Sequence, residues 1–257
     1  MNKQIKLSLS HEVHAATAVP PGATESGSDA VGGRVVEVAS MFGLGVDRTQ
    51  RLAVIPLVEL TLRAGQLVFV TGASGSGKST LLRLIREALA ERAGAVSGEI
   101  PGAGVRCLDF SALPEPADVA VVEAVDGGVL PLDRVLRLLS LAGLNDAFVM
   151  LRRPSELSDG QRYRFRLAQM MAQVEAAAAD GEGDTMVVVL ADEFGATLDR
   201  TTAAALSCNL RRWLNSEPRV CFITATTHDD LLEPLAPDVL IEKRLGAGIE
   251  IVEAKRG

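Results

Sequence analysis

The sequence predicts an α/β fold built on a largely parallel sheet, and three observations predict it. Strand-like and helix-like segments alternate along most of the chain. Several strand candidates, such as "LVFVT" and "TMVVVL", are short continuous apolar runs, the pattern of strands covered on both faces. A glycine-rich loop, "GASGSGKS", falls between one of these strands and a helix.

Taken in order, residues 1–33 include "AVPPGATESGSDAVGG", rich in Pro, Gly and Ser and without periodicity. They read as a disordered tail. His11 and His14 fall in that tail, where a His-x-x-His pair does not make a metal site. The ordered domain is expected over residues 34–257, with a small helical subdomain at about 112–172. "RVVEVASMF" reads as a strand. "LVELTLRAGQLVFVTG" reads as two strands joined by a turn at Arg63-Ala64-Gly65. "KSTLLRLIREALAERA" has helical apolar spacing and ends in a glycine-containing turn. "GVRCLDF" is a strand, and "PLDRVLRLLSLAGLNDAFVMLRR" reads as two short helices. "PSELSDGQRYRFRLA" opens on a Ser-Asp-Gly turn and enters a helix that runs through about Val174. "AAAADGEGD" is a flexible insert before "TMVVVLADE", a buried strand. "TTAAALSCNLRRWLNS" is a helix, "RVCFITATTH" a second buried strand, and "VLIEKRLGAGIEIVE" a terminal hairpin.

Composition bounds the function. The 257 residues are 47% hydrophobic but only 4% aromatic, so the core is aliphatic. A net charge of -7 makes the chain a poor general polyanion binder. Arg152, Arg153, Arg162, Arg164 and Arg166 are the one local basic cluster. They read as a solvated helix face with ion pairs rather than as a nucleic-acid patch, because aromatic interleaving is limited to Tyr163 and Phe165. Cys107, Cys208 and Cys221 have no metal-ligand spacing and read as reduced, mostly buried thiols of a cytoplasmic protein. No apolar run reaches the ~20 residues of a membrane-spanning helix, and no secretory leader is visible, so a membrane link is expected only through a partner.

Gly72 to Ser79 matches the spacing G-x-x-x-x-G-K-[ST] in the strand–loop–helix context that this pattern requires. Gly72, Gly75 and Gly77, with Ser74 and Ser76 between them, let backbone N–H groups converge on phosphate oxygens, and the helix start adds a favourable dipole. Lys78 is expected to reach the β and γ phosphates of ATP. The Ser79 hydroxyl is expected to ligand Mg²⁺, and Thr80 to help hold the α phosphate. "VVVLADE" places Asp192 at the C-terminal edge of a buried strand, where open α/β sheets bind ligands. Asp192 is expected to hold Mg²⁺ through water, and Glu193 to orient or deprotonate the attacking water.

With the phosphate loop, "LSDGQ" and "ADE" in that order, the chain resembles a nucleotide-binding domain of the ABC ATPase superfamily. "PSELSDGQRYRFRLA" resembles the family signature, "EFGATLD" the loop after the catalytic carboxylate with Asp199 as its acid, and "TATTHDD" the segment of the switch histidine, His228. The resemblance covers about residues 34–244. It implies an antiparallel β part on the N-terminal side, and two domains packed head to tail around two ATPs. Ser158 and Gly160 would then grip a phosphate held by the neighbouring subunit, giving an ATP-dependent homodimer. It also implies an aromatic that stacks on adenine, for which Phe42 is the candidate, with Val46 and Arg48 nearby. Two departures stand out. Asp159 replaces a signature glycine, and no glutamine occurs between Ser79 and Gln161, where the family has one; Asp109 is the substitute candidate. The chain also looks like a narrower group of ABC-type ATPases, some of them fused to a predicted GNAT-type acetyltransferase, which makes an acetyltransferase one candidate partner. Three readings of the coupled work stand. The first is a soluble ATPase acting on a protein or nucleic-acid process. The second is the motor subunit of a transporter, and the third an ATP-gated interaction module with little turnover. The missing glutamine and the short segment before the signature favour the first.

Overall fold

The computed structural model describes residues 3–15, 33–41, 50–92, 99–100, 104–177 and 185–254. A two-stranded ribbon pairs β1 (Gln4–Ala15) antiparallel with β2 (Gln50–Arg63). A second sheet contains β3 (Leu67–Thr71), β4 (Glu99–Ile100), β5 (Val105–Asp109), β6 (Met186–Ala191), β7 (Val220–Ala225), β8 (Val239–Lys243) and β9 (Ile249–Glu253). Its order is β4-β5-β6-β7-β3-β8-β9. The five central strands run parallel, and β4 and β9 flank them antiparallel. The expected α/β class with a parallel core and an antiparallel N-terminal part is borne out.

Continuous apolar runs work here because both faces of the sheet are covered. Leu67 and Phe69 of β3, Val187 and Val189 of β6, and Phe222 of β7 enter one core. Val68 and Val70, Val188 and Leu190, and Cys221 and Ile223 enter the other. Each such side chain stabilises the fold by roughly 1.5–3 kcal/mol. The helices are α1 (Gly33–Met41), α2 (Lys78–Arg92), α3 (Val121–Ala124), α4 (Leu132–Leu141), α5 (Ala147–Met150), α6 (Asp159–Ala177), α7 (Arg200–Ser216) and α8 (Leu232–Leu235). Leu81, Leu82, Ile85 and Leu89 pack α2 onto one face. Phe165 of α6 and Leu206, Leu210 and Trp213 of α7 pack onto the other, where α4 adds Val135, Leu138 and Leu139.

Four expectations are corrected. Residues 1–33 are not a disordered tail throughout, since Gln4–Ala15 forms β1. The signal was "IKLSLS": Ile5, Leu7 and Leu9 are buried while Lys6, Ser8 and Ser10 are exposed, the alternation of a half-buried strand. The Pro/Gly/Ser-rich run lies mostly outside the described residues, as does most of "AAAADGEGD". Of "RVVEVASMF", residues Arg34–Met41 form helix α1 rather than a strand, and Phe42 lies outside the described residues. No described strand pairs with it.

The third correction concerns the arginines, which are more than a solvated face. Arg164 donates to the Gly143 carbonyl at 2.8 Å, Arg166 to that of Leu113 at 2.6 Å, and Arg162 to that of Leu157 at 3.2 Å. These guanidiniums clip the helical region together, which takes them away from any polyanion. The fourth concerns the thiols, which are free but not mostly buried: Cys208 is exposed and Cys107 half-buried. Burial pushes the Cys221 thiol up to about 12.

Candidate active site

The site is built where the parallel strands end. Between Thr71 and Lys78 the chain forms a loop that only glycine can supply at two positions. Gly72 has φ of 141°, and a Cβ there would lie 2.0 Å from the Lys243 carbonyl oxygen. Gly77 has φ of 104°, and its Cβ would lie 2.9 Å from Val54 Cγ1. Gly72→Ala is therefore expected to destabilise the protein by about 3 kcal/mol, because strained dihedrals and a backbone clash add. Urea denaturation checks this, and an unchanged midpoint would mean that β8 yields without cost.

The loop leads into the N-terminus of α2, whose first amides lack intrahelical partners. The Lys78 ammonium is buried and donates to the carbonyls of Gly72 at 2.7 Å and Ala73 at 2.9 Å. No carboxylate among the described residues pairs with it. The Ser76 hydroxyl is buried without a hydrogen-bond partner. An uncompensated cation beside the free amides of a helix start makes a site that suits a polyphosphate.

Asp192 and Glu193 follow directly on β6. Glu193 has φ of 51°, a left-handed conformation uncommon outside glycine. Its N–H donates to Asp192 Oδ1 at 3.0 Å. The Phe194 N–H donates to the Ala225 carbonyl at 3.0 Å, and the Gly195 N–H to the Tyr163 phenol oxygen at 2.9 Å. A cleft of about 440 Å³ brings most of the predicted loop and acid residues together, with Gly72 and Ser76 off its wall. Ser74, Gly75, Gly77, Lys78, Ser79 and Thr80 come from the loop and α2, and Asp192 and Glu193 from the end of β6. Ala196, Thr226 and Thr227 complete its lining. These three were not singled out, although Thr226 and Thr227 follow a buried strand just as Asp192 does.

A smaller adjoining cavity of about 180 Å³ also has Ser79 and Asp192 on its wall, with Arg86, Asp109 and Ser111. A serine hydroxyl and a carboxylate shared between two cavities are hard oxygen donors of the kind Mg²⁺ takes, so these residues fit that ion. Asp109 is already engaged there. It accepts from Arg86 Nη1 at 2.8 Å and from the Ser111 hydroxyl at 2.6 Å.

The remaining predicted residues lie off the cleft wall. Ser158 and Gln161 cap the start of α6 reciprocally, N–H to side chain, at 3.1 and 3.4 Å. Ser158 is exposed, and Gly160 packs near Leu198. Asp199 caps α7 by accepting from the Thr202 N–H at 2.9 Å, and Thr202 holds its carboxyl below the usual range. His228, half-buried, donates its N–H to the Thr226 hydroxyl at 3.2 Å. The next two residues fasten its segment. Asp229 accepts from the Thr71 hydroxyl, and Asp230 pairs with Arg200, whose Nε lies 2.8 Å away. Phe42, Val46 and Arg48 lie outside the described residues.

A phosphate-cradling loop facing an acid pair at a sheet edge defines a nucleoside-triphosphatase site. Comparison with known proteins narrows the class. The family described as "ABC transporter" matches residues 56–176. The lipoprotein-releasing system ATP-binding protein LolD of Bordetella pertussis is 32% identical, over 70% of this chain and 80% of that protein. The methionine import ATP-binding protein MetN of Nocardia farcinica is 28% identical, over 83% of this chain and 65% of that one. A bacterial ABC transporter cassette solved as a dimer superposes with a TM-score of 0.56 at 18% identity, covering 81% of this chain and 93% of that one. The chain belongs to the ABC transporter family as one of its ATP-binding, ATP-hydrolysing cassettes.

Proposed function

We propose that this chain is the ATP-hydrolysing motor subunit of a membrane transporter, working as a head-to-tail dimer. The relatives support the transporter reading over the soluble one that the departures favoured: one is named for lipoprotein release and another for methionine import. No helix among the described residues is long and apolar enough to cross a membrane, so a membrane task would fall to a partner. A further cavity of about 650 Å³ in the helical region is lined by Glu115, Glu123 and Asp126, which suits a basic segment of such a partner.

The observation that carries the chemistry is the single cleft shared by Lys78, Ser79, Asp192 and Glu193. Lys78 and the loop from Gly72 to Gly77, with Thr80, bind the phosphates. Ser79 and Asp192 would hold Mg²⁺, which would supply neutralisation of phosphate charge. Glu193 takes the proton of the attacking water. The new water oxygen–phosphorus bond forms as the γ phosphorus parts from the bridging oxygen, and ADP leaves with phosphate. His228 contacts the γ phosphate. Ser158 and Gly160, absent from the wall of their own cleft, close on the neighbour's nucleotide beside Asp199.

A Glu193→Gln protein trapped with ATP tests the reading. Affinity capture is expected to recover a second copy of this chain together with a multi-span membrane protein. Recovery of a soluble enzyme such as an acetyltransferase, or of nucleic acid, would overturn the transporter role. A protein that stays monomeric with ATP would overturn the dimer. A soluble ATPase is the second reading, and one observation favours it: no glutamine occurs between Ser79 and Gln161, and Asp109, at the end of β5, is instead paired with Arg86 of α2.

A further inference from the structure

Tyr163 is the only tyrosine of the chain, and it serves no role assigned so far. It lies in the second turn of α6, the helix that Ser158 caps and whose first turn holds Gly160. Its phenol oxygen accepts the Gly195 N–H at 2.9 Å, two residues after Glu193. Its ring meets Phe110 at 5.3 Å and Phe194 at 6.2 Å between centroids. Phe110 follows Asp109, and Phe194 follows Glu193. Three segments therefore converge on one side chain: the end of β5, the start of α6 and the turn after β6.

That turn needs holding. Glu193 sits at a positive φ, and its carbonyl accepts from Ala196 at 3.0 Å. The Gly195 N–H would be an unpaired donor in a packed setting if the phenol oxygen were removed. Burial pushes the pKa of the Tyr163 phenol up, against the lowering effect of the Gly195 N–H, so the ring stays neutral at physiological pH. A neutral phenol can hold this contact whatever charge gathers in the cleft nearby.

We propose that Tyr163 is a positioning residue that couples the signature turn to the water-activating carboxylate: its oxygen fixes the Glu193 turn, so that a movement of α6 on a neighbour's phosphate is felt at Glu193. The proposal rests on the reading of Glu193 as the proton acceptor. Tyr163→Phe keeps the ring stack and removes one oxygen. We expect kcat to fall ~10-fold with KM for ATP little changed, because a small displacement of a catalytic group costs rate rather than binding. In a Glu193→Gln background the same substitution should cause no further loss, since the two act as a unit. An unchanged kcat in Tyr163→Phe, or an equal loss in both backgrounds, would overturn the coupling.

A second readout uses the whole protein with its shape intact. Growth on 3-fluorotyrosine labels position 163 alone. Its fluorine resonance is expected to shift when ATP closes the Glu193→Gln dimer, and a resonance indifferent to ATP would sink the proposal. The two hypotheses fail separately. If Glu193→Gln turns over like the native protein, the reading of Glu193 is wrong. If Glu193→Gln is inactive and Tyr163→Phe is native-like, only the coupling is wrong.

Discussion

Glu193→Gln is expected to slow steady-state hydrolysis roughly 100- to 10,000-fold, the range lost when a general base is removed. Binding of ATP should be close to native, for three reasons. The substitution conserves volume. The carboxylate accepts no described hydrogen bond that the fold needs. The contact that Glu193 itself makes within the turn comes from its backbone N–H, donating to Asp192 Oδ1 at 3.0 Å. What changes is the acceptor for the water proton, since an amide cannot take it. The second acid does not substitute, because the Asp192 carboxylate is engaged by that N–H and is the expected Mg²⁺ ligand. Phosphate release at saturating ATP, set beside a separate binding measurement, checks both halves. A rate within about threefold of native would mean that another group takes the proton, and Glu193 would then be a turn residue only.

The parts of this protein legible in the sequence are those whose signal is local. The run from Gly72 to Ser79 is one contiguous pattern, and a strand ending in Asp192 needs only a few apolar residues followed by an acid. Both sit in one cleft. Strands β3, β6 and β7 were readable for the same reason. Strand β1 was obscured by its neighbours: the alternation in "IKLSLS" is clear, but the Pro/Gly/Ser-rich run after it coloured the whole segment. The links that organise the site are long-range and leave no periodic trace. Tyr163 reaches Gly195 across 32 positions, Arg166 reaches Leu113 across 53, and Thr71 reaches Asp229 across 158. Tyr163 illustrates the limit well. Nothing local in the sequence announces that its hydroxyl meets the turn after β6. The arginines around the signature show the same limit, since in sequence a guanidinium clipped to a distant carbonyl is indistinguishable from a solvated one.

Lys78→Met should abolish nucleotide binding while leaving the ligand-free protein as stable as native, or more so. Lys78 as a whole is only 8% exposed, and its ammonium is met by two carbonyl dipoles rather than by a carboxylate. Losing those two hydrogen bonds costs about 1 kcal/mol apiece in an ordinary setting. Relief from holding a charge away from water returns about as much or more, and the methionine chain fills the same space. With ATP the balance reverses. The phosphates supply the missing counter-charge, and removing one partner of a buried ion pair costs about 3–5 kcal/mol. A loss near the middle of that range is roughly a thousandfold in Kd. At ATP equal to about 100 times the native Kd, the native protein gains about 2.7 kcal/mol of stability. The variant, at about a tenth of its own Kd, gains less than about 0.1 kcal/mol by the same relation. Thermal unfolding with and without ATP, run on both proteins, therefore separates a phosphate ligand from a structural lysine. A variant that melts earlier without ATP but keeps the ATP-induced rise would make Lys78 a strut of the loop, and phosphate binding would have to rest on the backbone amides from Gly72 to Ser79.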